Sequence, residues 1–437
     1  MPIISQDVTK THSFAGLGFS KIAFSTTNPN LVVAATASAS EGILEALENP
    51  ITANRGLYYS TDAGISWSVA SIADVGVTIS PSSVTSVAYN PAAALFYAAI
   101  RFHGIYRSSD GITWAKLGAQ PGILGSAPCP SQTALPSGCP IYRGEIAIVP
   151  NRVGPLGLGE MYVWYVDAND GDGGIWRSVD GGASWSPISD SGITNCGDFF
   201  GGCGTAQGSY NLTLAAVPAG TTTHLYAGAI NIYKCVITNG SPSCSGSGNN
   251  TFLNLTHVYG CSDIAKVHPD QRAIDFLANN GVELLYFTND GGIYRALDGV
   301  TGLTTGTCGL SNSFDSLNAT LGPMTQFVSV SESGSDPNLI FGGTQDNGAP
   351  ATAFAQSSGT WVNVNAGEDG ITAVNPANSN EWFAATPPDS GSGVNLFRCA
   401  NGISCRTQDF QSDEVVDSNT LGGDTFLLFS IRRTLAP

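Results

Sequence analysis

Five acidic residues lie among glycines and amides in a pattern that could support chemistry. They are Glu145 in Arg143-Gly144-Glu145, Asp270 in His268-Pro269-Asp270-Gln271-Arg272, Asp290 in Asn289-Asp290-Gly291-Gly292, Asp346 in Thr344-Gln345-Asp346-Asn347-Gly348, and Asp369 in Gly367-Glu368-Asp369-Gly370. Hydrolysis of a glycosidic bond needs two carboxyl groups about 5–10 Å apart, one of them protonated at working pH. Any two of these five could supply such a pair if the fold brings them together. His268, Gln271, Arg272, Asn289, Gln345 and Asn347 are the neighbouring polar side chains that could bind ligand hydroxyls. Asp167, Asn169, Asp170 and Asp172 form a short run of oxygen donors that could hold calcium, although the spacing is not that of an EF-hand. Each stretch also has a bland reading, because Asp-Gly and Asn-Gly are ordinary hairpin-turn sequences. Other chemistries lack their motifs: there is no nucleophile elbow, no phosphate-cradling Walker loop and no zinc-ligand spacing.

Composition narrows the setting. The chain has 437 residues, with 17 Lys+Arg against 34 Asp+Glu, a formal charge of −17. That balance excludes a nucleic-acid-binding face, which needs a basic surface. No run of 18 apolar residues occurs, so membrane insertion is not expected. With 53 glycines and 42% hydrophobic residues, the composition fits turn-rich β structure rather than disorder or long helices. The ten cysteines fall as near neighbours: Cys129 and Cys139, Cys196 and Cys203, Cys235 and Cys244, Cys261 and Cys308, Cys399 and Cys405. Without any CxxC pair, this pattern predicts loop-stapling disulfides and a secreted, extracellular or periplasmic location. The opening Met1-Pro2-Ile3 has neither a basic nor an apolar leader segment, so a signal is expected to have been removed or the chain to be part of a longer multidomain protein.

The elements that must position these residues are legible as a repeat. Seven apolar strand signals recur, centred on Val33, Tyr97, Val163, Tyr226, Tyr286, Phe341 and Phe383, spaced 42 to 66 residues apart. Most are followed by a second signal, such as Ile105-Tyr106-Arg107-Ser108, Ile175-Trp176-Arg177-Ser178 or Ile293-Tyr294-Arg295-Ala296. Units of this length with several short strands predict propeller blades. In three units the later strand runs into a Ser-x-Asp turn closed by Trp: Ser60, Asp62 and Trp67; Ser108, Asp110 and Trp114; Ser178, Asp180 and Trp185. Asp298 marks a degenerate fourth copy. Two units without this box carry Cys235/Cys244 and Cys399/Cys405 at matching places, which predicts disulfides in place of the turn-and-Trp staple.

These hairpins resemble the Asp-box, or BNR-repeat, β-propellers, a group that includes sialidases, sortilin-type domains and xyloglucanase-type glycoside hydrolases. The order of motifs from Asp270-Gln271 through Asn289-Asp290-Gly291-Gly292 and Gly342-Gly343-Thr344-Gln345-Asp346-Asn347-Gly348 to Gly367-Glu368-Asp369-Gly370 looks like that of secreted bacterial glycosyl-hydrolase-like Asp-box proteins. The resemblance implies an all-β fold, a single seven-bladed β-propeller over 1–437. Its blades are expected near 14–70, 82–118, 143–190, 210–256, 264–305, 324–365 and 370–410, with 411–437 as a closing segment. It also implies that the boxed Asp residues hold turns and do no chemistry. In a four-stranded blade these turns lie on one face, while the loops between second and third strands and the crossovers between blades lie on the other. Two departures matter. Arg272 stands where the family pattern has His, and no Arg-Ile-Pro stretch or Arg cluster supports sialidase activity. A lone propeller also lacks the two-domain cleft of xyloglucanases. The expected function is therefore an extracellular recognition or scaffold module for glycan or protein ligands, acting through the acidic Gly-rich face. The alternative is a glycoside hydrolase using a carboxylate pair on that face.

Overall fold

The computed structural model describes residues 14, 17–38, 55–74, 77–78, 82–122, 139–149, 157–199, 201–238, 241, 243–244, 250–260, 267–279, 282–296, 314–318, 327, 329–344, 347–357, 359–365, 370–386 and 395–412. The chain divides into two compact units, Met1–Thr320 and Leu321–Pro437. Among the described residues the first contains five β-sheets and the second two, and six of the seven are four-stranded sheets whose strands follow one another in chain order. All their pairings are antiparallel, with the short hairpins that such meanders need.

The recurrent tripeptides become the second strands. Val33, Tyr97, Val163 and Tyr226 are fully buried. Both faces of these strands are covered because each sheet packs against its neighbours, so apolar runs replace the polar-apolar alternation of a half-exposed strand. The core accordingly lies between sheets. Val33, Leu57, Phe96 and Trp114 join the first two, and Tyr97, Leu117, Met161 and Val163 the next two. Trp164, Ile175, Leu225 and Tyr233 bridge the third and fourth. In the second unit Phe341, Val364, Trp382 and Phe410 form a core of the same kind.

First strands of consecutive sheets are neighbours: Leu17–Phe24, Val84–Asn90, Arg143–Ile148, Thr213–Ala219 and Gln271–Asn279 in the first unit. Hydroxyl groups bind several of them together. Ser20 Oγ donates to the Val84 carbonyl, Thr85 Oγ1 to Gly144 O at 2.9 Å, and the Ile146 amide to Ser86 Oγ at 3.2 Å. In the second unit Val374 N donates to Ser331 Oγ at 2.9 Å. Thr85, Ser86 and Ser331 are buried, so these hydroxyls pair backbone groups of adjacent first strands away from water.

The second sheet departs from the four-stranded expectation. It has six strands, because Ser71–Asp74 adds in parallel to Thr113–Lys116 and pairs in turn with Val77–Thr78. The linker leaving the first sheet thereby covers an outer edge that would otherwise offer unpaired backbone groups.

The Ser-x-Asp turns adopt one arrangement. In the first, Ser60 Oγ donates to Asp62 Oδ1 (2.7 Å) and accepts from Gly64 N (2.8 Å), while Asp62 Oδ1 accepts from Ser66 N (2.8 Å). The turns at Asp110 and Asp180 repeat these contacts. Hydrogen bonds led by those from Ser66 hold the Asp62 carboxyl down at about 2. Burial alone would raise Asp110 and Asp180, yet donated hydrogen bonds outweigh it and both lie below the ordinary range. Asp298 lies outside the described residues.

Disulfides join Cys235 to Cys244 and Cys399 to Cys405, in two of the repeats that lack the Ser-Asp-Trp box, and a third joins Cys196 to Cys203. Cys139 is also disulfide-bonded, whereas Cys129, Cys261 and Cys308 lie outside the described residues. Among the described residues no helix is long and apolar enough to cross a membrane.

Candidate functional site

In the first unit, loops and strand ends of the first, third and fifth sheets meet the crossover into the fourth. That crossover ends in a single helical turn, Gly208–Asn211. Gly208 begins the turn without a side chain because a Cβ there would lie 2.5 Å from Val166 Cγ1.

Two arginines grip this turn from opposite sides in sequence. Arg143, at the start of the third sheet's first strand, donates to the carbonyls of Ser209 (3.2 Å), Tyr210 and Leu212 (2.7 Å). Arg272, in the fifth sheet's first strand, donates to Tyr210 O at 2.7 Å, and its guanidinium carbon lies 3.1 Å from the Tyr210 ring centroid. Each arginine is matched by a carboxylate. Glu145 accepts from Arg143 (3.4 Å) and from Lys21 (3.1 Å). Asp290 accepts from Arg272 through both oxygens, at 2.7 and 3.1 Å, and from the Tyr210 hydroxyl at 3.1 Å. The result is one connected chain of groups, Lys21–Glu145–Arg143–Tyr210–Arg272–Asp290. Burial draws the Arg143 guanidinium below its ordinary value, with Glu145 opposing.

Asn211 continues the network by donating to Asp270 Oδ1 at 2.6 Å. Asp270 sits just before its strand with φ +67°, a conformation an aspartate tolerates better than most residues. Of the five carboxylates singled out by sequence, Glu145, Asp270 and Asp290 are thus gathered around Tyr210–Asn211. Asp346 and Asp369, with Gln345, lie outside the described residues, and Asn347 belongs to the second unit, where its carbonyl accepts from Asn363.

Two of the expected ligand-binding amides have other work. Gln271 is fully buried, donating to Ile230 O (3.1 Å) and His268 O (2.8 Å). Asn289, also buried, donates to Gln271 Oε1 at 3.3 Å and orders its own turn by accepting from Gly291 N. They fasten the fifth sheet to the fourth. His268 is half-buried against Gly291, where an added Cβ would lie 2.4 Å from the His268 Cβ.

In the acidic loop of the third sheet, one oxygen of each aspartate accepts hydrogen bonds within the protein. Asp167 Oδ1 is taken by the amides of Asn169 and Gly171, each at 2.8 Å. Asp170 Oδ1 accepts from Ser209 N at 2.6 Å, and Asp172 Oδ1 from the Trp164 indole and Gly174 N. Among the described residues no group of three or more His, Cys, Asp or Glu is placed to hold a metal ion. Nearby, burial holds the Asp190 carboxyl above its ordinary range, with the charge of Asp172 adding to the effect.

Sequence reasoning missed Lys21, Tyr210 and Asp190. Lys21 and Tyr210 act across long sequence separations, and no local motif marks them. Asn211, Asn254 and Asn318 head Asn-x-Thr sequences, yet each side chain is engaged internally: Asn211 with Asp270, Asn254 with Asp198, and Asn318 with Ile293 N and Gly291 O.

No protein-family model matches the chain, and no curated protein does. Among solved structures it is similar to YCF48 bound to D1 peptide, at 13% identity and TM-score 0.37, over 89% of this chain and 94% of that one. It is similar to YCF48 from Cyanidioschyzon merolae at 13% identity and TM-score 0.35, over 87% and 98%. The GH74 xyloglucanase from Xanthomonas campestris is matched at 12% identity and TM-score 0.34, over 90% and 72%.

Proposed function

We propose that the chain is a recognition or scaffold module of the Asp-box β-propeller kind, its seven meanders being seven blades. It is exported to an oxidising compartment and binds glycan or protein ligands through the face carrying the crossovers and second-to-third-strand loops. The observation that carries this reading is the Lys21–Glu145–Arg143–Tyr210–Arg272–Asp290 network. Charged and polar side chains from several sheets converge on one helical turn and hold it in place, a fixed support of the kind on which binding loops sit. The carboxylates within it favour binding over hydrolysis. Glu145 and Asp290 spend their oxygens on lysine, arginine and tyrosine donors, whereas a glycosidase must present both carboxyl groups to its substrate.

A second reading has its own support. Burial, with the charge of Asp172 adding to it, holds the Asp190 carboxyl above its ordinary range, as the acid of a glycoside hydrolase must be.

One experiment weighs the two. The protein is presented with a panel of polysaccharides and extracellular peptides, and both retention and release of reducing ends are measured. Retention without release, weakened by Arg272→Met, is expected. Release of reducing ends that disappears in Asp190→Asn would replace the binding assignment with hydrolysis.

A further inference from the structure

On the same face, but at the fourth sheet, the crossovers carry a second constellation built around a buried carboxylate. Asp198 has a fully buried side chain and accepts four hydrogen bonds. They come from Asn231 Nδ2 (3.0 Å), Asn254 Nδ2 (3.1 Å), the Tyr259 amide (3.1 Å) and His257 Nδ1 (2.7 Å). Three separate loops are thereby tied to one side chain. The Cys196–Cys203 disulfide closes the loop that carries Asp198, and Asn231 Nδ2 also holds Gly202 O at 2.7 Å.

This scaffold presents two aromatic rings to solvent. Phe199 is 65% exposed and Tyr259 41%, and the Phe199 amide donates to the Tyr259 carbonyl at 3.4 Å. Tyr259 rests against Gly202, where a Cβ would come within 3.0 Å of its ring. Two residues before Tyr259, His257 contacts the buried acid and holds φ +45° in the left-handed region. His257 Nδ1 lies 2.7 Å from Asp198 Oδ1 and 3.3 Å from Asn254 Nδ2, so an imidazole that donates to Asp198 through Nδ1 would present Nε2 to a ligand hydroxyl. Gly260 makes room for the pair, because a Cβ there would lie 2.4 Å from Asp198 Oδ1.

We infer that Phe199, Tyr259 and His257 form a subsite for a neutral pyranose residue, an inference that rests on reading this face as the ligand face. A sugar ring has a flat C–H face that stacks on exposed aromatic rings and a rim of hydroxyl groups that hydrogen-bond to an imidazole. Large apolar rings on a soluble surface are a sign of binding when rigidly supported. The charge of −17 argues against acidic polymers as the occupant.

The test uses cellohexaose, mannohexaose and chitohexaose in titration calorimetry with the intact chain and with Phe199→Ala, Tyr259→Ala and His257→Gln. Thermal midpoints and disulfide maps verify that the variants fold, and Phe199→Ala, at a highly exposed position, serves as the safe one. Binding of at least one hexasaccharide, weakened roughly three- to tenfold by each ring substitution, is expected from the usual worth of an aromatic contact. Binding that survives both ring substitutions would overturn this subsite while leaving the recognition reading intact. Failure to bind any neutral sugar, with a protein ligand captured in a Tyr259-dependent way, would assign the shelf to a protein partner and overturn the sugar. No retention of any glycan or protein would overturn both readings together.

Discussion

The Arg272–Asp290 pair offers a direct test of whether the network around Tyr210 is held by charge. The Arg272 side chain is 28% exposed and that of Asp290 13%. Breaking a fully buried pair costs about 3–5 kcal/mol, and an exposed pair is worth about 0–1 kcal/mol. At these exposures the loss lies between, at about 2 kcal/mol. Arg272→Met also removes the donor to Tyr210 O and the stacking on the Tyr210 ring, the latter worth about 0.5–1 kcal/mol. We therefore expect Arg272→Met to cost about 2–3 kcal/mol and Asp290→Asn about 1–2 kcal/mol. The double variant should lose less than the sum by at least about 1 kcal/mol, because each single change strands the other partner. Urea unfolding of the four proteins, with unchanged slope, measures the cycle. Amide hydrogen exchange should rise at Tyr210–Leu212 in Arg272→Met and little elsewhere. A coupling below about 0.5 kcal/mol, with no change in exchange at the turn, would refute the reasoning.

Three further outcomes follow from the same contacts. Asp62, Asp110 and Asp180 have folded values below their ordinary ones, so their stabilisation is present above about pH 4 and lost as pH falls through the folded values, about 2 for Asp62. Tryptophan emission of Trp114 should shift over that acid range, and Asp110→Asn should flatten the shift. Ala63 holds φ +59° where the third hairpin has Gly181 at +72°, so Ala63→Gly should be neutral to stabilising by up to about 1 kcal/mol in thermal unfolding. Removing the Cys235–Cys244 bridge, whose residues are 9 apart, should cost about 2–3 kcal/mol. Mass analysis under non-reducing conditions should find that linkage intact in the parent, and free thiols there would contradict the fold.

The strand repeat, the Ser-x-Asp hairpins and the cysteine staples are legible in the sequence because their determinants are local. Ser60 and Asp62 stand 2 residues apart, and Cys399 and Cys405 6 apart, so chain connectivity alone brings them into contact. The same locality made Asp270 and Asp290 stand out as loop carboxylates, but it could not say whether their oxygens were free. Gln271 and Asn289 look like surface amides in the motif, and only the packing of the fifth sheet on the fourth buries them. The acidic loop at Asp167 has calcium-like composition, and only the fold shows that Ser209, from a different sheet's crossover, donates to Asp170 within it. Lys21 meets Glu145 across 124 residues, and Arg272 meets Tyr210 across 62. Such pairs have no spacing to read, since the sheets must first assemble before those charges become neighbours. Sequence alone determined which residues could do chemistry and the elements that carry them. Tertiary structure decided which were already spent on one another, because a carboxylate's availability depends on the donors that packing places around it.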